Sequence, residues 1–109
     1  MVKQKINCAV FVSGRGSNLK SIYKYSKTKY SKILLKLVIS NKPEVLSVKF
    51  ARRKKINTKI INYKNKSLAE KNIIRYLKKN NIRLICLAGF MKVLSKSFIK
   101  KYKYRIINI

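Results

Sequence analysis

Five short apolar runs, at residues 6–12, 33–39, 56–61, 83–87 and 105–109, are separated by stretches in which apolar side chains recur with helical spacing. Alternation of this kind specifies an α/β chain with a parallel sheet, because a parallel neighbour is reached only through a crossover long enough to hold a helix. The first helix is expected from Asn18, with Leu19, Ile22 and Tyr23 on one face. The second is expected to begin near Pro43-Glu44 and to close on Arg52-Arg53-Lys54-Lys55, which puts the acid and the bases at the favourable ends of the helix dipole. Ser67 and Glu70 have capping-box spacing, so a third helix is expected from Ser67 that buries Ala69, Ile73, Ile74 and Leu77. Ser95 is read as the cap of a short fourth helix using Phe98, Ile99 and Tyr102. The run from Arg83 to Leu87 is almost wholly apolar, as expected of a strand covered on both faces. No repeat, linker or internal boundary interrupts the 109 residues, a length that permits one small domain or part of a larger one.

The side-chain inventory removes whole classes of chemistry. His, Asp and Trp are absent, and the only carboxylates are Glu44 and Glu70. Carboxylate pairs, Ser-His-Asp triads and His or carboxylate metal clusters are therefore excluded within these residues, and no metal is expected. Against the two acids stand 29 Lys and Arg, a formal charge of +27. That excess would release counterions from a nucleic acid. However, Lys, Ile, Asn and Tyr together make up half the chain, all with A/T-rich codons, and the positive charges are spread along it rather than gathered on one face. The expected partners are anionic small molecules, with no specific nucleic acid and no membrane. Cys8 and Cys86 lie inside apolar runs and read as buried thiols of a reducing compartment; their spacing suggests neither a metal site nor a redox pair. The first apolar run is too short for a signal peptide core or a membrane span, so a cytoplasmic location is expected.

Three pieces carry possible chemistry. Ser13-Gly14-Arg15-Gly16-Ser17-Asn18 joins the first strand to the first helix, where unpaired N–H groups and the positive dipole end suit a phosphate. It lacks the third glycine of the dinucleotide fingerprint, having Leu19 there, and the Gly-Lys-Ser/Thr ending of a P-loop. A tight turn with a Ser or Asn helix cap is the alternative reading. Leu87-Ala88-Gly89-Phe90-Met91-Lys92-Val93-Leu94 leaves the fourth strand at the same sheet edge, so Met91, Val93 and Leu94 are either contacts for a flat heterocycle or ordinary core residues. Asn108 stands near the end of the fifth run, where an amide can donate to a carbonyl oxygen or an oxyanion.

Taken in order, Val12-Ser13-Gly14-Arg15-Gly16-Ser17-Asn18-Leu19, Val38-Ile39-Ser40-Asn41-Lys42, Leu87 to Ser95 and Arg105-Ile106-Ile107-Asn108-Ile109 resemble the phosphoribosylglycinamide formyltransferase family. The resemblance runs from about residue 6 to residue 109 and makes residues 1–109 the amino-terminal portion of a single formyltransferase domain. It implies a Rossmann-like parallel sheet truncated after about the fifth strand. The implied reaction moves a formyl group from the co-substrate 10-formyltetrahydrofolate to the amine of glycinamide ribonucleotide, in de novo purine biosynthesis. Gly16, Ser17 and Asn18 would hold the ribonucleotide phosphate, flanked by Arg15; Met91, Lys92, Val93, Leu94 and Asn108 would meet the folate; and Asn108 would bear the chemistry. Formyltetrahydrofolate hydrolase and methionyl-tRNA formyltransferase share the fold and stand as alternatives, beside a small basic nucleic-acid-binding module. The family follows this Asn with Ile and a His that acts in proton transfer, and later supplies an Asp; neither is among these residues. The resemblance therefore implies that the 109 residues alone are inactive, with a separate chain as one source of the carboxy-terminal half. It also implies marginal stability or self-association at an unpaired fifth strand.

Overall fold

The computed structural model describes residues 4–109. Residues 1–3, read above as part of the same domain, lie outside the described residues. Nine elements alternate: β1 Ile6–Val12, α1 Ser17–Ser26, β2 Ile33–Ser40, α2 Leu46–Arg53, β3 Thr58–Ile60, α3 Lys66–Lys79, β4 Leu84–Leu87, α4 Lys96–Lys101 and β5 Ile106–Asn108. The five strands form one sheet in the order β3-β2-β1-β4-β5, and every recorded pairing is parallel. The chain thus steps outward from β1 to β3, returns past β1, and continues outward through β4 and β5. The place where it reverses, between β1 and β4, is the topological switch point at which open α/β sheets bind their ligands.

Strict alternation along β1 explains the two layers of core. Cys8, Val10 and Val12 face one side, where they pack with Leu19 of α1 and with Phe50 and Ala51 of α2. Ala9 and Phe11 face the other, against Ala69, Ile73 and Leu77 of α3 and Phe98 of α4. Because helices cover both faces, the strand shows no polar alternation; Cys8 to Val12 are fully buried. In β4 the same alternation sends Ile85 to one core and Cys86 to the other. Cys8 and Cys86, too far apart in the chain to suggest a pair, are free thiols with sulfurs 3.6 Å apart, because β1 and β4 are neighbours. The bond to Cys86, together with burial, pushes the Cys8 thiol well up.

Several expected boundaries move, each for a tertiary reason. The second helix begins at Leu46, not near Pro43-Glu44, and Glu44 stands exposed in the preceding turn. Its start is pinned by Ser47, whose amide and hydroxyl both donate to the Gly14 carbonyl, at 3.0 and 2.7 Å. The third helix is capped by Asn65, whose side chain accepts from the Leu68 amide at 3.0 Å, so the Ser67–Glu70 capping box does not form. Glu70 is buried and turns instead toward Ser95. Ser95 does cap α4, accepting from the Phe98 amide at 3.1 Å, and of its expected apolar face only Ile99 is half exposed rather than packed. Among the described residues no helix is long and apolar enough to cross a membrane.

Phe11 ties the sheet to the helices above it, meeting the edges of Phe90 and Phe98 at centroid distances of 5.3 and 6.4 Å. Phe11→Ala is expected to cost about 3–5 kcal/mol, a large fraction of the stability of a domain this small, and urea denaturation followed by circular dichroism measures it.

Candidate functional site

Three segments leave the carboxyl ends of neighbouring strands and meet around one buried hydroxyl. Ser13, which follows β1, donates from its Oγ to Asn41 Oδ1 beyond β2 and accepts from the Met91 amide beyond β4 at 2.8 Å. One side chain therefore holds the ends of β2, β1 and β4 in a fixed relation. Two backbone bonds extend the arrangement, from the Ala88 amide to Phe11 O at 2.9 Å and from the Ile109 amide to Leu87 O at 3.0 Å.

The loop after β1 approaches α1 through Gly16, which is its N-cap in left-handed conformation, φ 84°, and makes no side-chain cap. The reading of this loop as a Ser or Asn cap is thereby replaced. The first helical bond runs from Lys20 N to Gly16 O at 2.9 Å, so the amides of Ser17, Asn18 and Leu19 precede the helical ladder at the positive end of the dipole. Ser17 and Asn18 are exposed there, with Arg15 beside them. Gly16 also has a steric duty: a Cβ at this position would lie 2.7 Å from Ser47 Cβ, whereas one at Gly14 would meet nothing within 4 Å.

The segment after β4 is anchored at both ends and open between them. At one end Phe90 packs against Phe11, and the Ser13 hydroxyl holds the Met91 amide. At the other, the Glu70 carboxylate accepts both the amide of Ser95, at 2.8 Å, and its hydroxyl. Met91 and Val93 are about three-quarters exposed between these anchors, and Lys92 is exposed with its ammonium 5.6 Å from the Tyr63 ring. Leu94 is buried in the core with Phe98, beneath the exposed stretch. Asn108 is exposed on β5 and registers with Leu87, the residue that opens this segment. With strands about 4.8 Å apart, β5 lies roughly 10 Å from β1, so Asn108 and the α1 loop flank the same sheet edge.

Ser13, Asn41, Ser47, Tyr63 and Glu70 hold this site together, and none was singled out from the sequence as a site residue. Ser13 and Asn41 sit inside the quoted motifs, so position relative to the strand ends was their one signal. Tyr63 and Glu70 have none, since their partners are Phe90, Lys92 and Ser95. The Tyr63 hydroxyl is buried without a hydrogen-bond partner, and burial, followed by the Glu70 charge, raises it to about 12.

The geometry defines an open parallel α/β domain, covered on both faces, in which the exposed start of α1 and an exposed apolar strip lie at one sheet edge. Comparison with known proteins agrees with that fold. The sequence pattern of the formyl transferase family matches residues 6–109, and the chain belongs to this family. It is similar to the trifunctional purine biosynthetic protein adenosine-3 of Homo sapiens, 37% identical over 110 residues that cover 98% of this chain and 11% of that protein. It is likewise similar to phosphoribosylglycinamide formyltransferase of Escherichia coli strain K12, at 31% identity across 95% of this chain and 50% of the relative. The crystal structure of phosphoribosylglycinamide formyltransferase from Brucella melitensis superposes with a TM-score of 0.92 and 29% identity, over 96% of this chain and 56% of that one. The chain thus spans about half the length of its single-function relatives.

Gly16→Ala is expected to destabilise the domain by about 2 kcal/mol, and Gly14→Ala by much less; chemical denaturation of both variants checks the difference. Tyr63 gives a pH dependence of known sign. Its folded value of about 12 lies above the ordinary 10.0, so its contribution is intact below about pH 10 and is lost as pH rises toward 12. Tyr63→Phe should remove that part of the alkaline slope, read from denaturation midpoints between pH 9 and 12, and should leave neutral-pH stability unchanged within about 1 kcal/mol.

Proposed function

We propose that residues 6–109 are the amino-terminal portion of a single formyltransferase domain, and that they hold the ribonucleotide phosphate and part of the folate of a glycinamide ribonucleotide formyl transfer. The observation that carries this reading is the α1 terminus: a glycine N-cap in left-handed conformation beneath exposed Ser17 and Asn18, at the switch point of the sheet. Such a terminus supplies aligned N–H donors and a positive partial charge to a phosphate dianion. Arg15 adds a full charge beside it, and the hydroxyl of Ser17 and amide of Asn18 add donors. The formyl donor, 10-formyltetrahydrofolate, would lie along Met91, Lys92 and Val93, with Leu94 supporting them from the core.

Formyl transfer needs an oxyanion stabiliser where the amine attacks. The Asn108 amide, on a strand registered with Leu87, is the group these residues offer for that charge. The attacking amine must also lose a proton. No His or Asp occurs in the 109 residues, and a lysine near its ordinary pKa is already protonated. A proton acceptor from outside them is required, so the 109 residues are expected to bind substrate without turning it over. The similarity to formyltransferases of glycinamide ribonucleotide in both sequence and structure favours this substrate over those of other folate-linked members of the fold.

Titration of the 109-residue chain with glycinamide ribonucleotide, by calorimetry or thermal shift, should give saturable binding that the Ser17→Ala/Asn18→Ala double variant loses. A demonstrably folded chain that fails to bind would overturn the half-site.

A further inference from the structure

A cavity of about 880 Å³ lies at the amino-terminal ends of the strands, the edge opposite the α1 loop. Its volume is in the range of small-molecule sites, about 300–1,000 Å³. Five cationic residues line it, Lys5, Lys78, Arg83, Lys101 and Arg105, and neither of the two carboxylates does. Two of the five have a local explanation: Lys78 and Lys101 occupy the last turns of α3 and α4, where carbonyl ends attract cations. The other three do not. Lys5, Arg83 and Arg105 each stand immediately before a strand, and those strands, β1, β4 and β5, are consecutive in the sheet. By register Arg83 is level with Asn7 and Arg105 with Leu84, so the three positions run diagonally across the strand ends, Arg105 innermost and Lys5 outermost.

The backbone beneath these positions is fixed. The Arg83 amide donates to Asn7 O at 2.9 Å, and Arg105 O accepts from the Ile85 amide at 2.8 Å. Asn7 in turn donates from its side chain to Asn81 O at 3.2 Å, tying the end of α3 to the rim. Tyr102, buried and on the cavity wall, has its hydroxyl raised by desolvation, with the Arg105 charge opposing the rise. Like charges gathered at one rigid edge repel one another unless an anion lies among them. Guanidinium pairs suit phosphate oxygens, which they can engage two at a time.

We infer that this cavity is a second anion site, separate from the α1 loop, and that it takes a small ligand bearing a chain of phosphates. A single phosphate would meet only part of this staggered set of cations; a polyphosphate chain can reach more of it. Free polyphosphate and the polyphosphate arm of a nucleotide share this chemistry.

Calorimetric titration of the 109-residue chain with sodium tripolyphosphate and with ATP, in about 0.15 M salt to screen exposed charge, tests the inference. Saturable binding is expected, weakened about tenfold or more by Arg83→Gln/Arg105→Gln. A charge-matched control, Lys24→Gln/Lys49→Gln, and the loop variant Ser17→Ala/Asn18→Ala should bind within about twofold of the parent chain. Circular dichroism confirms folding, and Lys5→Gln/Lys78→Gln replaces the arginine pair should that variant unfold. Equal affinity for the two ligands assigns the site to the phosphates alone, and tighter ATP binding adds a nucleoside contact; both support the site. Equal weakening by the cavity and control variants, loss in the loop variant, or binding of ATP without tripolyphosphate would overturn it.

Discussion

Residues Cys8 to Val12 of β1 have no solvent exposure on either side, and the same strand pairs with both β2 and β4. Everything else is arranged around that strand. Because both of its faces are apolar, helices must cover both, which sends α1 and α2 to one side and α3 and α4 to the other. Because both of its edges are paired, the chain must reverse direction beside it, and the reversal opens the crevice where Ser13 follows the strand. The hydroxyl of Ser13 then converts strand order into site geometry, since it touches the segments that follow β2 and β4 at once.

The loops at that edge are held by contacts whose chemistry is matched to exposure. Buried polar groups are satisfied where they position the backbone: Ser47 on the Gly14 carbonyl and Glu70 on Ser95. What remains open between these anchors is a pair of exposed surfaces, Ser17 and Asn18 on one side and Met91 to Val93 on the other. Glu70 is the instructive case. It is the only buried carboxylate of a strongly basic chain, and it takes backbone and hydroxyl donors instead of a lysine. Neutral donors fixed by the α4 cap give the segment a defined end.

Charge is organised on two scales. Over the whole chain it is diffuse, and its sources in Lys-rich composition show no preferred face. At the amino-terminal strand ends it is gathered, because parallel pairing brings the starts of successive strands to one edge. Lys5, Arg83 and Arg105 come from different parts of the chain and become neighbours only through the order β1-β4-β5.

The alternation of apolar runs and helical periods determined, without tertiary information, the number, type and order of the elements and the parallel sheet; the pair of glycines marked the loop before α1. These are properties of a few consecutive residues: side-chain period, a run of β-branched residues, a pair of glycines. The helix starts were misread where a local signal competes with a distant partner. Glu70 fits a capping box by spacing, yet Ser95 claims its carboxylate, and Pro43-Glu44 fits a first turn, yet Ser47 is drawn to Gly14. The tertiary structure alone decided that Gly16 must be glycine to clear Ser47, that the two thiols meet, and which cations share a cavity. The physical reason is one of range: propensity and period act within a turn or a strand, whereas parallel crossovers bring together residues dozens of positions apart, and it is there that steric fit and charge are settled.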